Sequence, residues 1–181
     1  MAEQKTLTRA EIVAVTRAWI GTPYHHQASL KRVGADCLGL VRGVWRELYG
    51  RDAETPPAYS PDWAQASKRE TLLAAARRHL KPVAVLDEME AGDVLIFRFR
   101  ADLPAKHTGI LVSPSAMVHA AEGGPAAEVP LTPWWRRRIA GVFRFPGIEG
   151  DGLLDAQQLQ TCLPIQSQSC VSLDNRGRYA I

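Results

Sequence analysis

Cysteine is scarce in this chain, which has three in 181 residues, at positions 37, 162 and 170. So small and odd a set does not make a disulfide framework. No Cys-x-x-Cys pair or other ligand spacing is present, so neither structural zinc nor any other metal or cofactor is expected. Long apolar runs are missing too, since none approaches the roughly 20 residues of a membrane span. The opening Met1-Ala2-Glu3-Gln4-Lys5 lacks the apolar stretch of a secretory leader. Ordinary export is therefore not expected, and work outside the cell of synthesis would need another carrier. Charge of one sign is in small excess, a net +3, but it is uneven. Residues 147–181 hold Glu149, Asp151, Asp155 and Asp174 against Arg176 and Arg178, a net −2 that leaves +5 on the first 146 residues. A mildly basic body suits cell wall, nucleic acid or an acidic protein, and equally a plain solvated surface. No recognition motif accompanies the basic residues, so specific nucleic-acid binding is not expected.

What is present reads as helices first and strands afterwards. Thr8-Arg9-Ala10-Glu11 has the form of a capping box ahead of Ile12, Val15, Trp19 and Ile20, an apolar stripe that stops at Gly21. A turn-rich connector, Gly21 to Gln27, leads through a loop with Lys31 and Arg32 to a second helix. There Leu40, Val41, Val44, Trp45 and Leu48 recur at helical spacing before Gly50. Ser60-Pro61 predicts a cap and first-turn proline for a third helix, packing Trp63, Leu72, Leu73, Ala76 and Leu80 and stopped by Lys81-Pro82. The period then becomes two. Strands are expected over 94–100, 107–112, 116–121, 126–130 and 139–145, with a capped helical turn from Thr132. This order implies an α+β domain with an antiparallel sheet. Composition changes after Pro146-Gly147, which predicts one domain over 1–146. Residues 147–181 read as a polar, acidic extension that is disordered or ordered by a partner.

The chemistry centres on Gly34-Ala35-Asp36-Cys37-Leu38-Gly39. Asp36 falls at the N-cap of the second helix and Cys37 in its first turn. Unpaired N–H groups and the positive end of the helix dipole favour thiolate there, lowering a thiol pKa from about 8.5 toward roughly 3.5–7.5. The same pattern also describes a buried, inert cysteine. Two histidines supply the discriminating argument. Residues 107–112 and 116–121 read as a hairpin about Ser113-Pro114-Ser115, and opposed residues in such a pair have a constant index sum, here about 226–228. His107 and His119 then fall opposite each other or one diagonal step apart, on one face. Gly109 and Met117 on that face leave room for the helix start bearing Cys37. One histidine can take the thiol proton while the other orients it. His79, near a helix end, reads as a dipole partner. His25 and His26, beside Tyr24, either line a cleft or are solvated. Trp134-Trp135-Arg136-Arg137-Arg138 suits an anionic, sugar-bearing surface, or one buried tryptophan with solvated arginines.

Five pieces in order resemble the NlpC-type papain-like cysteine peptidases, which are cell-wall hydrolases. They are Gly21-Thr22-Pro23-Tyr24, Gly34 to Gly39, Ala91-Gly92-Asp93-Val94-Leu95, His107-Thr108-Gly109-Ile110 and Val118-His119-Ala120. The resemblance covers about residues 8–146. It implies Cys37 as nucleophile, His107 as base and His119 as the ring-orienting third residue. It also implies Tyr24 beside the thiol, shaping the oxyanion region, and Asp36 facing the cleft to bind a substrate amino group, in competition with the N-cap reading. The implied substrate is the peptidoglycan stem peptide, cut after D-glutamate at its γ-linkage to a diamino acid. Many members have Asp-Cys-Ser-Gly. The Leu38 variant here, followed by Val41-Arg42-Gly43-Val44-Trp45-Arg46, is similar to the subgroup of phage tails and gene-transfer agents. This implies a virion tail-tip location, with tail-tip or baseplate proteins as partners. Two rival readings stay open: a related amidase or acyltransferase, and an inactive tail plug or wall-binding module.

Overall fold

The computed structural model describes residues 6–60 and 69–148, and its first helix starts where the capping box places it. The Thr8 hydroxyl accepts from the Glu11 N–H at 3.2 Å, while the Glu11 carboxylate accepts from the Thr8 N–H at 2.8 Å. Helix α1 follows over Arg9–Arg17. Its Ile12 and the nearby Trp19 are buried, and Trp19 Nε1 donates to Glu47 at 2.7 Å on the next helix. Helix α2 runs Cys37–Tyr49, from an Asp36 cap to Gly50 in the left-handed conformation with φ 72°. The two helices approach closely at Gly43, where a Cβ would stand 2.0 Å from the Trp19 ring. Between them the expected loop holds a small hairpin, β1 (Ser29–Leu30) with β2 (Gly34–Ala35).

Helix α3 is described over Thr71–His79, burying Leu72, Leu73 and Ala76. The cap expected at Ser60-Pro61 is not its start within the described residues, since Glu70 holds the N-cap position; Pro61 and Trp63 lie outside those residues. Lys81–Pro82 does more than stop the helix. It forms strand β3 at the sheet edge, the position where a proline without an N–H is tolerated.

The main sheet adds β4 (Val94–Phe97), β5 (His107–Ser113), β6 (Ala116–His119), β7 (Ala127–Pro130) and β8 (Ile139–Arg144), in the order β3-β8-β4-β5-β6-β7. Every pairing is antiparallel. This is the α+β arrangement of helices packed on an antiparallel sheet that the element order implied. Val94, Ile96, Ile110, Val112 and Val118 meet the helices, whereas Leu95, Phe97, Leu111 and Met117 meet Leu131 and Trp135 on the other face. Because both faces are covered, β4 is apolar throughout rather than alternating. The strand expected to reach Arg100 ends at Phe97. Phe99 leaves the ladder to pack on His107 and Trp135, and Arg100 folds onto Asp102 in the following turn.

Asp93, fully buried ahead of β4, ties three segments together. Its carboxylate accepts from Arg9 at 3.1 Å, from Arg144 at 3.0 and 3.1 Å, and from the Glu90 N–H at 2.9 Å. Near the other end, Leu7 N–H donates to Gly147 O at 2.8 Å and Ile148 is buried. The body therefore runs through Ile148, two residues past the composition break at 146. The expected extension, with Cys162 and Cys170, otherwise lies outside the described residues. No helix among the described residues is long and apolar enough to cross a membrane.

Candidate active site

Helix α2 is held at its start by backbone contact. A Cβ on Gly39 would lie 1.8 Å from the Ala28 carbonyl oxygen, so glycine lets the helix abut the 25–28 loop. Asp36 caps the helix by accepting from Gly39 N–H at 2.7 Å. Its second oxygen accepts from Gln27 N–H at 2.8 Å and from the Tyr59 hydroxyl at 2.5 Å. The carboxylate is buried, with both oxygens engaged by protein donors. This geometry is the N-cap reading; a substrate amine would have to displace Tyr59 to reach Asp36. His26 supports the arrangement, with Nε2 at 2.7 Å from the Tyr59 carbonyl and Nδ1 at 3.6 Å from Asp36. Gln27 Nε2 donates to the same carbonyl at 2.7 Å. His25 packs against Gly34, where a Cβ would stand 2.7 Å from its own.

The thiol meets the first residues of β5. Cys37 Sγ lies 4.0 Å from Lys106 O, and the Thr108 backbone also hydrogen-bonds to the sulfur. These two groups flank His107 in the chain. The hairpin register pairs Ile110 with Val118 and Leu111 with Met117, which leaves His107 and His119 one diagonal step apart. Their rings meet edge to face, with His107 Nε2 at 2.9 Å from His119 Nδ1. One expectation needs correcting. The face carrying both histidines, Gly109 and Met117 is the one away from the helix layer, because α2 packs against Ile110 and Val118. Cys37 reaches β5 at the strand's first residues instead of lying over that face.

Burial decides the protonation states. It pushes the Cys37 thiol up to about 12, and the neighbouring Asp36 carboxylate adds to the rise. The backbone hydrogen bonds act the other way and are outweighed. The lowered thiol pKa expected from the helix dipole is thus overturned, chiefly by burial, with Asp36 adding a negative charge at the same helix end. Burial also brings His107 down to about 3, helped by His119 and Lys106, and lowers His119. At neutral pH the resting site is a neutral thiol beside two neutral imidazoles.

Sequence reasoning missed two residues here. Trp135 stacks on His107 at 5.6 Å between centroids and meets His119 edge-on at 5.3 Å, so it is the wall that holds both rings. Trp134 remains exposed, with the Arg138 guanidinium 3.8 Å from its ring centre. Tyr59 is the second, in a loop that the sequence marks only as polar and proline-rich. Burial and the Asp36 contact raise its pKa, and Asp36 and Cys37 also raise that of Tyr24 after burial. Tyr24 thus sits within electrostatic reach of the thiol. His79 lies in the last turn of α3 as expected and bonds to Glu54 at 2.8 Å. Beside the thiol an apolar cavity of about 230 Å³ opens between α2, α3 and the sheet, lined by Leu38, Val41, Tyr59, Ala76, Ile96 and Thr108 among others.

Residues 21–144 match the model of the NlpC/P60 family. Among curated relatives, the chain is 25% identical to a gamma-DL-glutamyl hydrolase of Bacillus subtilis, over 76% of this chain and 29% of that protein. It is 24% identical to the murein DD-endopeptidase MepH of Escherichia coli, over 79% and 49% respectively. The chain therefore spans less than half the length of either. Among solved structures, the NlpC/P60 domain of the peptidoglycan hydrolase SagA covers 77% of this chain and is itself covered completely, with TM-score 0.53 and 20% identity. A family protein from Bacillus cereus gives TM-score 0.56 at 18% identity, over 78% of this chain and 41% of that one. These likenesses show the papain-like fold.

Proposed function

The chain belongs to the NlpC/P60 family, and from that premise we propose that it is a cysteine peptidase of the bacterial cell wall, cutting the peptidoglycan stem peptide. The observation that carries this reading is the His107–His119 pair at 2.9 Å, set where Cys37 Sγ meets the backbone on either side of His107. The names of the two curated relatives, a glutamyl hydrolase and a murein endopeptidase, support the substrate class. The γ-D-glutamyl bond to the diamino acid is the proposed point of cleavage.

The roles follow from the tautomers. His107 carries its hydrogen on Nε2 and donates it to His119 Nδ1, so its Nδ1 is bare and serves as the base. Because the thiol and imidazole are both neutral at rest, the proton leaves Sγ as sulfur attacks the amide carbonyl. Imidazolium then returns it to the leaving amine, and an acyl-enzyme remains. Water, deprotonated by the same imidazole, releases the acid and restores the thiol. Tyr24 borders the region where the oxyanion forms. Asp36 holds the helix start and binds a substrate amine only where Tyr59 moves aside.

We place the protein at a virion tail tip, with baseplate proteins as partners, on the strength of the Asp36-Cys37-Leu38-Gly39 variant and the sequence that follows it. A second reading, an amidase or acyltransferase for an apolar acyl group, is favoured by the apolar cavity that reaches Leu38 and Thr108. Digestion of purified walls followed by mass spectrometry separates these readings. Fragments newly ending in D-glutamate, lost in Cys37→Ala, are expected. Wall digestion by Cys37→Ala at the parent rate rejects the nucleophile. A parent that leaves all wall types intact favours a binding module.

A further inference from the structure

Three arginines, Arg98, Arg137 and Arg138, line one groove. The groove has a volume of about 440 Å³ and is formed by Arg98, Phe99, Ala101, Arg137, Arg138 and the start of β8. Its arginines are held in place without being used up. Arg98 spends one terminal nitrogen on Glu70 at 2.5 Å. Arg138 donates Nη1 to the Trp134 carbonyl at 3.0 Å and sets its guanidinium carbon over the Trp134 ring. Arg137 is exposed, and no side-chain partner for it is present among the described residues. Among the described residues Glu70 is the carboxylate paired with these three positive charges, and Asp102 is already bound to Arg100. The groove begins at the reactive centre, because Phe99, one of its walls, packs on the His107 ring at 5.8 Å.

With Arg98 already paired to Glu70, the guanidinium groups of Arg137 and Arg138 on one groove favour an anion with paired oxygens. We propose that this groove is a subsite for a carboxylate of the substrate, seated by Arg137 and Arg138 while the neighbouring amide lies at Cys37 and His107. The inference rests on the wall-peptide reading and deepens it. Stem peptides carry free carboxylates near their amide links, and some carry carboxamides in the same places. A planar guanidinium fork accepts the first and not the second. The groove thereby selects the amidation state of the wall.

The test uses the full chain and two synthetic stem peptides that differ only in a free carboxylate or a carboxamide beside the scissile bond. The parent is expected to cleave the free acid about tenfold more efficiently, through KM, as befits loss of one charged hydrogen bond. Arg137→Gln and the Arg137→Gln/Arg138→Gln double variant are expected to lose that preference, so that the ratio of the two rates falls to about one. Equal rates on both peptides in the parent, or an unchanged preference in the double variant, overturn the subsite and leave the peptidase reading standing. Cleavage of neither peptide counts against the peptidase reading. The subsite is then decided by calorimetric binding, where tighter binding of the free acid only with the arginines present supports it and equal binding rejects it. Tighter binding of poly(glycerol phosphate) than of the free-acid peptide overturns the carboxylate in favour of a wall-polymer phosphate.

Discussion

His107 Nε2 and His119 Nδ1 lie 2.9 Å apart, and one hydrogen sits between them. Its owner decides whether His107 can accept a second proton at Nδ1. His119→Ala should therefore lower kcat with little change in KM, and His119→Asn, which keeps an acceptor, should restore part of the rate. His107→Ala should cost more, about 10²–10⁴-fold in kcat, as expected for loss of a general base. Steady-state rates on soluble wall fragments, with circular dichroism to confirm folding, measure all three. A His119→Ala enzyme with unchanged kcat would remove the orienting role.

Stability should fall on both sides of a neutral plateau. Folded His107 stays neutral down to about 3, against an ordinary value of 6.5. Below about pH 6.5 the unfolded chain binds a proton that the folded chain refuses, so stability drops as pH falls toward 3. His119 acts in the same direction. The Cys37 thiol keeps its proton in the folded state up to about 12, against 9.0 ordinarily. The unfolded chain loses that proton first, so stability declines again as pH rises above about 9. Urea midpoints from pH 4 to 10 map both limbs, and His107→Gln should flatten the acid one. An acid limb identical to the parent's would mean that other groups cause it.

Alkylation of Cys37 by iodoacetamide, followed by peptide mapping, should be slow at pH 7 and still rising past pH 9. Asp36→Asn removes one negative charge from beside the sulfur while keeping a cap acceptor, so its profile should move to lower pH. A parent profile that levels off below pH 7.5 would show a thiolate at rest and contradict the neutral pair.

Gly39→Ala should be strongly destabilising, because its methyl would lie 1.8 Å from a backbone oxygen that cannot rotate away. Overpacking typically costs about 1–3 kcal/mol, and a backbone clash belongs at the upper end of that range or beyond. Thermal and urea melts decide it. A variant within 0.5 kcal/mol of the parent, a bound set by ordinary surface substitutions of roughly that size, would show that the loop moves freely from the helix.

Local signals carried most of the architecture. Thr8-x-x-Glu11 marks the start of α1, Asp36 and Gly50 bracket α2, and the Ser113-Pro114-Ser115 turn sets the register that pairs the histidines. Each depends on neighbours a few residues apart. What stayed hidden depends on distant ones. Nothing near Trp135 in the chain tells that it stacks on His107, and nothing near Tyr59 tells that it covers Asp36. The thiol pKa was misjudged for the same reason: a helix dipole is readable from a start motif, whereas burial belongs to the assembled fold. The end of β4 at Phe97 likewise reflects where Phe99 finds its partners.

Two consecutive positions after Cys37 obey opposite rules. Gly39 is pinned by a backbone oxygen, while the Leu38 side chain points at the wall of an apolar cavity. A change at 38 alters what that cavity is lined with and leaves the sulfur where it is. The departure from Asp-Cys-Ser-Gly is thus an adjustment of the lining of a cavity that adjoins the thiol.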